Sequence, residues 1–135
     1  MILIFTLDDQ NGTNLAGKRQ SSDRIVADRI LALAGDRLRI KSNTMSFWKN
    51  NDTKPKHTAV VQTIGQLAEN SMFFAETPVP AELMQAAEQI YVFRWNRRYP
   101  SLAKDRVSLE GYQCTILEEF PGYSHEKITL EVYNK

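Results

Sequence analysis

Two apolar runs limit what this chain can fold into. Ile90-Tyr91-Val92-Phe93 and Ile2-Leu3-Ile4-Phe5 are continuous in β-branched and aromatic residues rather than alternating with polar ones. That pattern marks strands covered on both faces, the signature of the middle of an α/β sheet. The second half of the later run is different. Arg94-Trp95-Asn96-Arg97-Arg98-Tyr99 crowds cations and aromatics at a strand end. Open α/β sheets keep their sites at such rims.

The segments between these strands read as a strand–helix alternation. Asp8–Lys18 is a loop with turn formers at Asn11-Gly12 and Gly17. Ser21 or Ser22 is expected to cap a helix over about 22–34, with Asp23 in its first turn, where the helix dipole favours a carboxylate. Val26, Ile30 and Leu33 form its apolar stripe, and Gly35 stands at the stop position. Short strands are expected at 37–41, 57–62 and 71–75, and a helix over 81–88 after Pro78 and Pro80. Strands 112–118 and 127–133 close the chain as an antiparallel hairpin, turned at Pro121-Gly122. The fold class is therefore α/β: one domain over 1–135, a mixed and mostly parallel sheet with flanking helices and a C-terminal antiparallel hairpin.

Composition narrows the function classes. With 135 residues and 42% hydrophobic content the chain can bury a real core. A net charge of +1 argues against broad electrostatic capture of nucleic acid. The single cysteine, Cys114, permits no intrachain disulfide and no cysteine-rich metal cluster, which suits a cytoplasmic protein. No apolar run approaches the roughly 18 residues of a membrane span.

Several residues carry potential chemistry, each with an ordinary reading beside it. Arg94–Tyr99 could clamp phosphates and stack bases, or be a solvated strand end with Trp95 packed on the sheet. Arg19-Gln20-Ser21-Ser22 could form an anion nest, or a plain capping loop. His125, flanked by Ser124 and Glu126, could be a general base, or a hydrogen-bonded hairpin histidine. Asp8, Asp9 and Glu76 could hold a divalent metal, though solvated loop acids are the ordinary expectation. Cys114 is expected to pack inside, in phase with Tyr112 and Ile116.

The segments MILIFTLDDQNG, SSDRIVADRILALAGDRLRIKSNTMSFW, AEQIYVFRW and GYQCTILEEF…HEKITLEVYNK together resemble dihydrofolate reductase in order and spacing over most of the chain. The resemblance implies that family's fold, with Asp23 at the position of the substrate-binding acid. It also locates the departures. The family's glycine pair, which lets the cofactor pyrophosphate approach backbone, is replaced after SMFFA by Glu76-Thr77-Pro78. The segment that supplies a cation and a hydroxyl to the cofactor phosphates maps onto Ser42-Asn43-Thr44-Met45, which lacks the cation. NADPH is therefore not expected as a cofactor, and no other cofactor is implied.

The family's small hydroxyl residue near the acid maps onto Arg94. That mapping predicts Arg94 and Asp23 within about 4 Å, where a cation lowers a carboxyl pKa by roughly 1–3 units. The expected protein is a divergent member of this fold that binds a small anionic or nucleotide-like ligand near Asp23 and Arg94. Arg19, Glu76, Asn96 and His125 complete the predicted set. The alternative is a non-enzymatic immunity or regulatory partner, or an RNA-binding protein, using the Arg94–Tyr99 surface.

Overall fold

A computed structural model describes residues 1–20 and 22–135; Ser21, one of the two expected helix caps, lies outside them. Strand β1 (Ile2–Leu7) is buried along its whole length and occupies the middle of a six-stranded sheet. Beyond it lie β2 (Asn14–Leu15) and β3 (Lys18–Arg19), a small separate hairpin. Helix α1 (Arg24–Ala34) and strands β4 (Leu38–Arg39) and β5 (Met72–Phe74) follow. Then come helix α2 (Ala81–Ala86) and strands β6 (Gln89–Arg94), β7 (Gln113–Phe120) and β8 (Ile128–Asn134). The sheet order is β4-β5-β1-β6-β8-β7. Its β4, β5, β1 and β6 run parallel, and β8 turns the sheet antiparallel. This is the mixed sheet with a terminal hairpin that the apolar runs predict.

Period-two alternation splits the core into two layers. Ile4, Phe74, Phe93 and Trp95 face α1, where Val26, Ile30, Phe47 and Trp48 meet them. Leu3, Phe5, Leu7, Phe73, Ile90 and Val92 face the other way, toward Leu83, Met84 and Ala87 at α2. Trp48 is the largest wedge under α1. Its ring meets Phe47 and Phe74 edge-on, and its Nε1 donates to the Ala27 carbonyl at 2.8 Å. A buried indole N–H left unpaired would cost a few kcal/mol, so this bond sets how α1 sits on the sheet.

Three local expectations need correction. Asp23 is the N-cap itself rather than a first-turn residue. The stretch expected as a strand at 57–62 is a 3-10 turn at His57–Ala59 that touches the sheet through one bridge, Ile40 to Val60. Cys114 is exposed, as is Ile116. Their strand is the sheet's outermost, and it carries a bulge between Ile116 and Glu118, so apolar phase along it no longer reports burial.

Candidate functional site

Asp23 lies at the start of α1 and is almost fully buried, at 2% exposure. Its Oδ1 accepts from the backbone N–H groups of Ile25 at 2.9 Å and Val26 at 3.2 Å, closing the helix end. The link between β7 and β8 folds back onto the same carboxylate. Tyr123 N–H donates to both oxygens at 3.0 Å, and Ser124 N–H to Oδ2 at 2.9 Å. Ser124 Oγ also reaches Oδ2, at 3.2 Å, and His125 Nδ1 does so at 2.9 Å. Burial opposes ionisation here, but the Tyr123 and Ser124 N–H groups, His125 and Val26 outweigh it. They hold the Asp23 carboxyl down at about 2. An ionised Asp23 can only accept, so His125 donates to it from Nδ1. The imidazole then stacks on Trp95, with ring centroids 4.5 Å apart. His125 Nε2 and Trp95 Nε1 are buried and have no protein partner among the described residues.

This knot changes what Asp23 can do. Its lone pairs are spent on its own chain, and a group titrating near 2 cannot relay a proton near neutrality. The His125 ring is sealed as well, with a side chain 1% exposed. The arrangement is a staple joining the start of α1 to the β7–β8 link.

Arg94 does not meet Asp23, contrary to the predicted pair. The two lie on opposite faces of the sheet, because Phe93 and Trp95, one residue either side of Arg94, take the α1 face. Arg94 Nε instead pairs with Glu131 at 2.7 Å. Its Nη1 donates to the Asp8 carbonyl at 2.8 Å and to Asn11 Oδ1 at 2.6 Å. Its Nη2 donates to the Tyr133 hydroxyl at 2.9 Å. Burial works against the guanidinium charge, but Glu131 and Tyr133 more than restore it and raise the Arg94 pKa. Phe93 is the strand residue that faces α1 in place of the expected Arg94, and it packs edge-on against Phe120.

Arg19 and Glu76 do converge. The Arg19 Nε lies 2.6 Å from Glu76 Oε2, and its Nη2 lies 2.7 Å from Oε1. The same guanidinium donates to the Asn43 carbonyl at 2.6 Å and to Ser46 Oγ. Hairpin β2–β3 thus delivers a cation to the segment in which the sequence lacks one. Glu76 follows β5 and lines a groove of about 330 Å3 with Lys41, Asn43, Thr44 and Thr77. Burial pushes the Glu76 carboxyl up, against the opposing pull of Arg19 and a Thr44 hydrogen bond. Half of this pair stays open to water: the Arg19 side chain is 37% exposed and that of Glu76 15%.

The remaining predicted residues are structural in their contacts. Asn96, at φ 57°, ties the end of β6 to the Lys127 carbonyl and Thr129 Oγ1. Asp8 is buried rather than solvated. It accepts from the N–H groups of Gln10, Gly12 and Tyr99, which fixes the first loop. Trp95, 1% exposed, leaves the predicted Arg/Trp/Tyr surface with Arg97 and Arg98 as its exposed cations. Sequence reading misses Tyr123 and Ser46, and names Ser124 only as a flank of His125 and Gly122 only as part of a turn. The Pro-Gly pair announces that turn but not what it touches.

No known family profile matches the sequence, and no curated protein matches it. Among solved structures, the chain is similar to a dihydrofolate reductase from Enterococcus faecalis complexed with NADP(H) and RAB-propyl. The two share 11% identity at a TM-score of 0.60, over 98% of this chain and 94% of that one. A second similar structure is a putative riboflavin biosynthesis protein from Shewanella sp. PV-4, at 10% identity and a TM-score of 0.41, over 98% and 97% of the two chains. The first likeness, spanning nearly the whole of both chains, establishes the architecture: this is a divergent chain with a dihydrofolate-reductase-like fold.

Proposed function

We propose that this protein binds a small anionic or nucleotide-like ligand at the groove beside Arg19 and Glu76, and has no reductase chemistry. The supporting observation is the Arg19 guanidinium, gathered with Ser46 Oγ and the Asn43 carbonyl at the end of β5 and held there by Glu76. Glu76 stands in for a ligand's negative charge. Its carboxylate has lost hydration, so an incoming phosphate or carboxylate that takes over Arg19 lets Glu76 return to water. Lys41 at the same groove adds a second cation. The Asp23 end is excluded from this reading because the chain's own donors saturate it.

Opposite responses of two variants test the proposal. Thermal shift and calorimetry with pyrophosphate, ATP, folate and NADPH are expected to show stabilisation by pyrophosphate and ATP, and none by NADPH. Arg19→Ala abolishes the shift. Glu76→Gln removes the internal competitor and tightens binding by roughly tenfold, about 1.4 kcal/mol. Absence of any anion effect, or an effect that survives Arg19→Ala, rejects the site. Oxidation of NADPH with dihydrofolate as acceptor rejects the loss of reductase chemistry.

A further inference from the structure

A second groove, of about 500 Å3, runs between the 64–69 segment and α2, away from the Asp23 knot and from Arg94. Its floor is apolar, from Ile64, Leu67, Pro80 and Leu83. Its rim carries exposed Glu69, Glu82 and Glu88. Among the described lining residues the one cation is the Met1 α-amine, 3.6 Å from Glu88; Glu69 and Glu82 pair with no cation. A local run of carboxylates around apolar surface stands out in a chain of net charge +1. It repels phosphates, so it does not extend the anion groove at Glu76.

The same molecule displays the complement. Residues 97–106 carry exposed Arg97, Arg98, Lys104 and Arg106, and none of these forms an ion pair among the described residues. In their midst Leu102 is 48% exposed, one of the few large apolar side chains the surface leaves open. Leu102 immediately precedes the short 3-10 turn Ala103–Asp105, which presents it beside Lys104.

We propose that the occupant of the acidic groove is the 97–106 segment of a second copy of this chain. Leu102 enters over Leu67 and Leu83, and the flanking cations meet Glu69, Glu82 and Glu88. Isolated exposed ion pairs contribute little, so the contact depends on several charges acting together with burial of the leucine. Two unlike patches of one molecule are joined, which makes the contact heterologous. It is therefore weak, salt-sensitive and separable into two halves.

The separability supplies the test. Sedimentation equilibrium of the wild-type chain at low salt is expected to show mass rising with concentration, and reverting to monomer at high salt. A groove variant (Glu69→Lys with Glu82→Lys) and a segment variant (Leu102→Asp with Lys104→Glu) are each expected to remain monomeric, with circular dichroism unchanged. Each variant keeps one intact patch, so mixing them restores a one-to-one complex. The charge-neutral variant Glu69→Gln with Glu82→Gln checks the groove without reversing its charge, and is expected to weaken association about tenfold. A wild-type chain that stays monomeric at all concentrations overturns the proposal. So does association that persists in both variants, or a mixture that fails to form the complex.

Discussion

Gly122 carries no side chain because Asp23 leaves no room for one. A Cβ built there lies 2.8 Å from Asp23 Oδ2 and 3.0 Å from the His125 carbonyl oxygen. Neither atom can yield, since the carboxylate is fixed by its ring of donors and the carbonyl accepts the Gly122 N–H at 3.0 Å. Gly122→Ala is expected to cost about 1–3 kcal/mol, as overpacking of a fixed site does. Gly65→Ala is the control: its nearest neighbour would be Thr63 Oγ1 at 3.9 Å, an ordinary contact, and its midpoint in urea stays close to wild type. Equal midpoints for the two variants would remove the close approach as the reason for this glycine. In the sequence, Pro121-Gly122 reads as a turn and nothing more. The residue that forbids a side chain there stands about a hundred positions earlier, so no local pattern could have revealed it.

Hairpin β2–β3 positions Arg19, and its turn is built on an unfavourable residue. Ala16 and Gly17 both have positive φ, 49° and 80°, which is the type I′ geometry of a two-residue hairpin loop. Alanine in that region costs about 1–2 kcal/mol, whereas asparagine tolerates it. Ala16→Asn is therefore expected to stabilise the protein by about 0.5–1 kcal/mol, read as a rise in the thermal midpoint. A lower midpoint would show that the turn is not type I′. Element identity was otherwise well written in the chain where both faces are buried. β1 and β6 announce themselves by unbroken apolar runs, and α1 by its stripe and its terminal glycine. That same continuity hides orientation. A strand apolar on both faces does not say which face its final arginine takes, and one residue of phase moved Arg94 to the side away from Asp23. At β7 the opposite ambiguity arises: Cys114 and Ile116 keep an inward rhythm on an edge strand where both are exposed.

Two carboxyls give the whole molecule a distinctive response to acid, and they act in opposite directions. Asp23 titrates near 2 in the folded protein against 3.8 ordinarily. A depressed carboxyl contributes stability that is complete above its unfolded pKa and is lost as pH falls through the folded one. Here that window runs from about pH 4 down to about 2, and a shift of this size is worth about 2 kcal/mol. Glu76 is raised above its ordinary 4.5, chiefly by burial and despite Arg19. Its folded form takes up a proton more readily than the unfolded chain does, so acidification through that higher range favours folding. Stability measured against pH is thus expected to climb slightly as pH falls toward the ordinary carboxyl range, where Glu76 takes up its proton, and then to drop steeply as Asp23 is protonated. Asp23→Asn removes most of the steep acid loss while lowering stability at neutral pH, because the donors of Tyr123, Ser124 and His125 lose their anion. Glu76→Gln removes the upper rise and leaves the acid limb in place. The two effects are expected to add, since the groups belong to separate networks, one through the β7–β8 link and the other through hairpin β2–β3. An Asp23→Asn profile with the full acid limb would mean that other carboxylates hold the fold together in acid. The staple would then be a local contact and not the tie that closes the molecule.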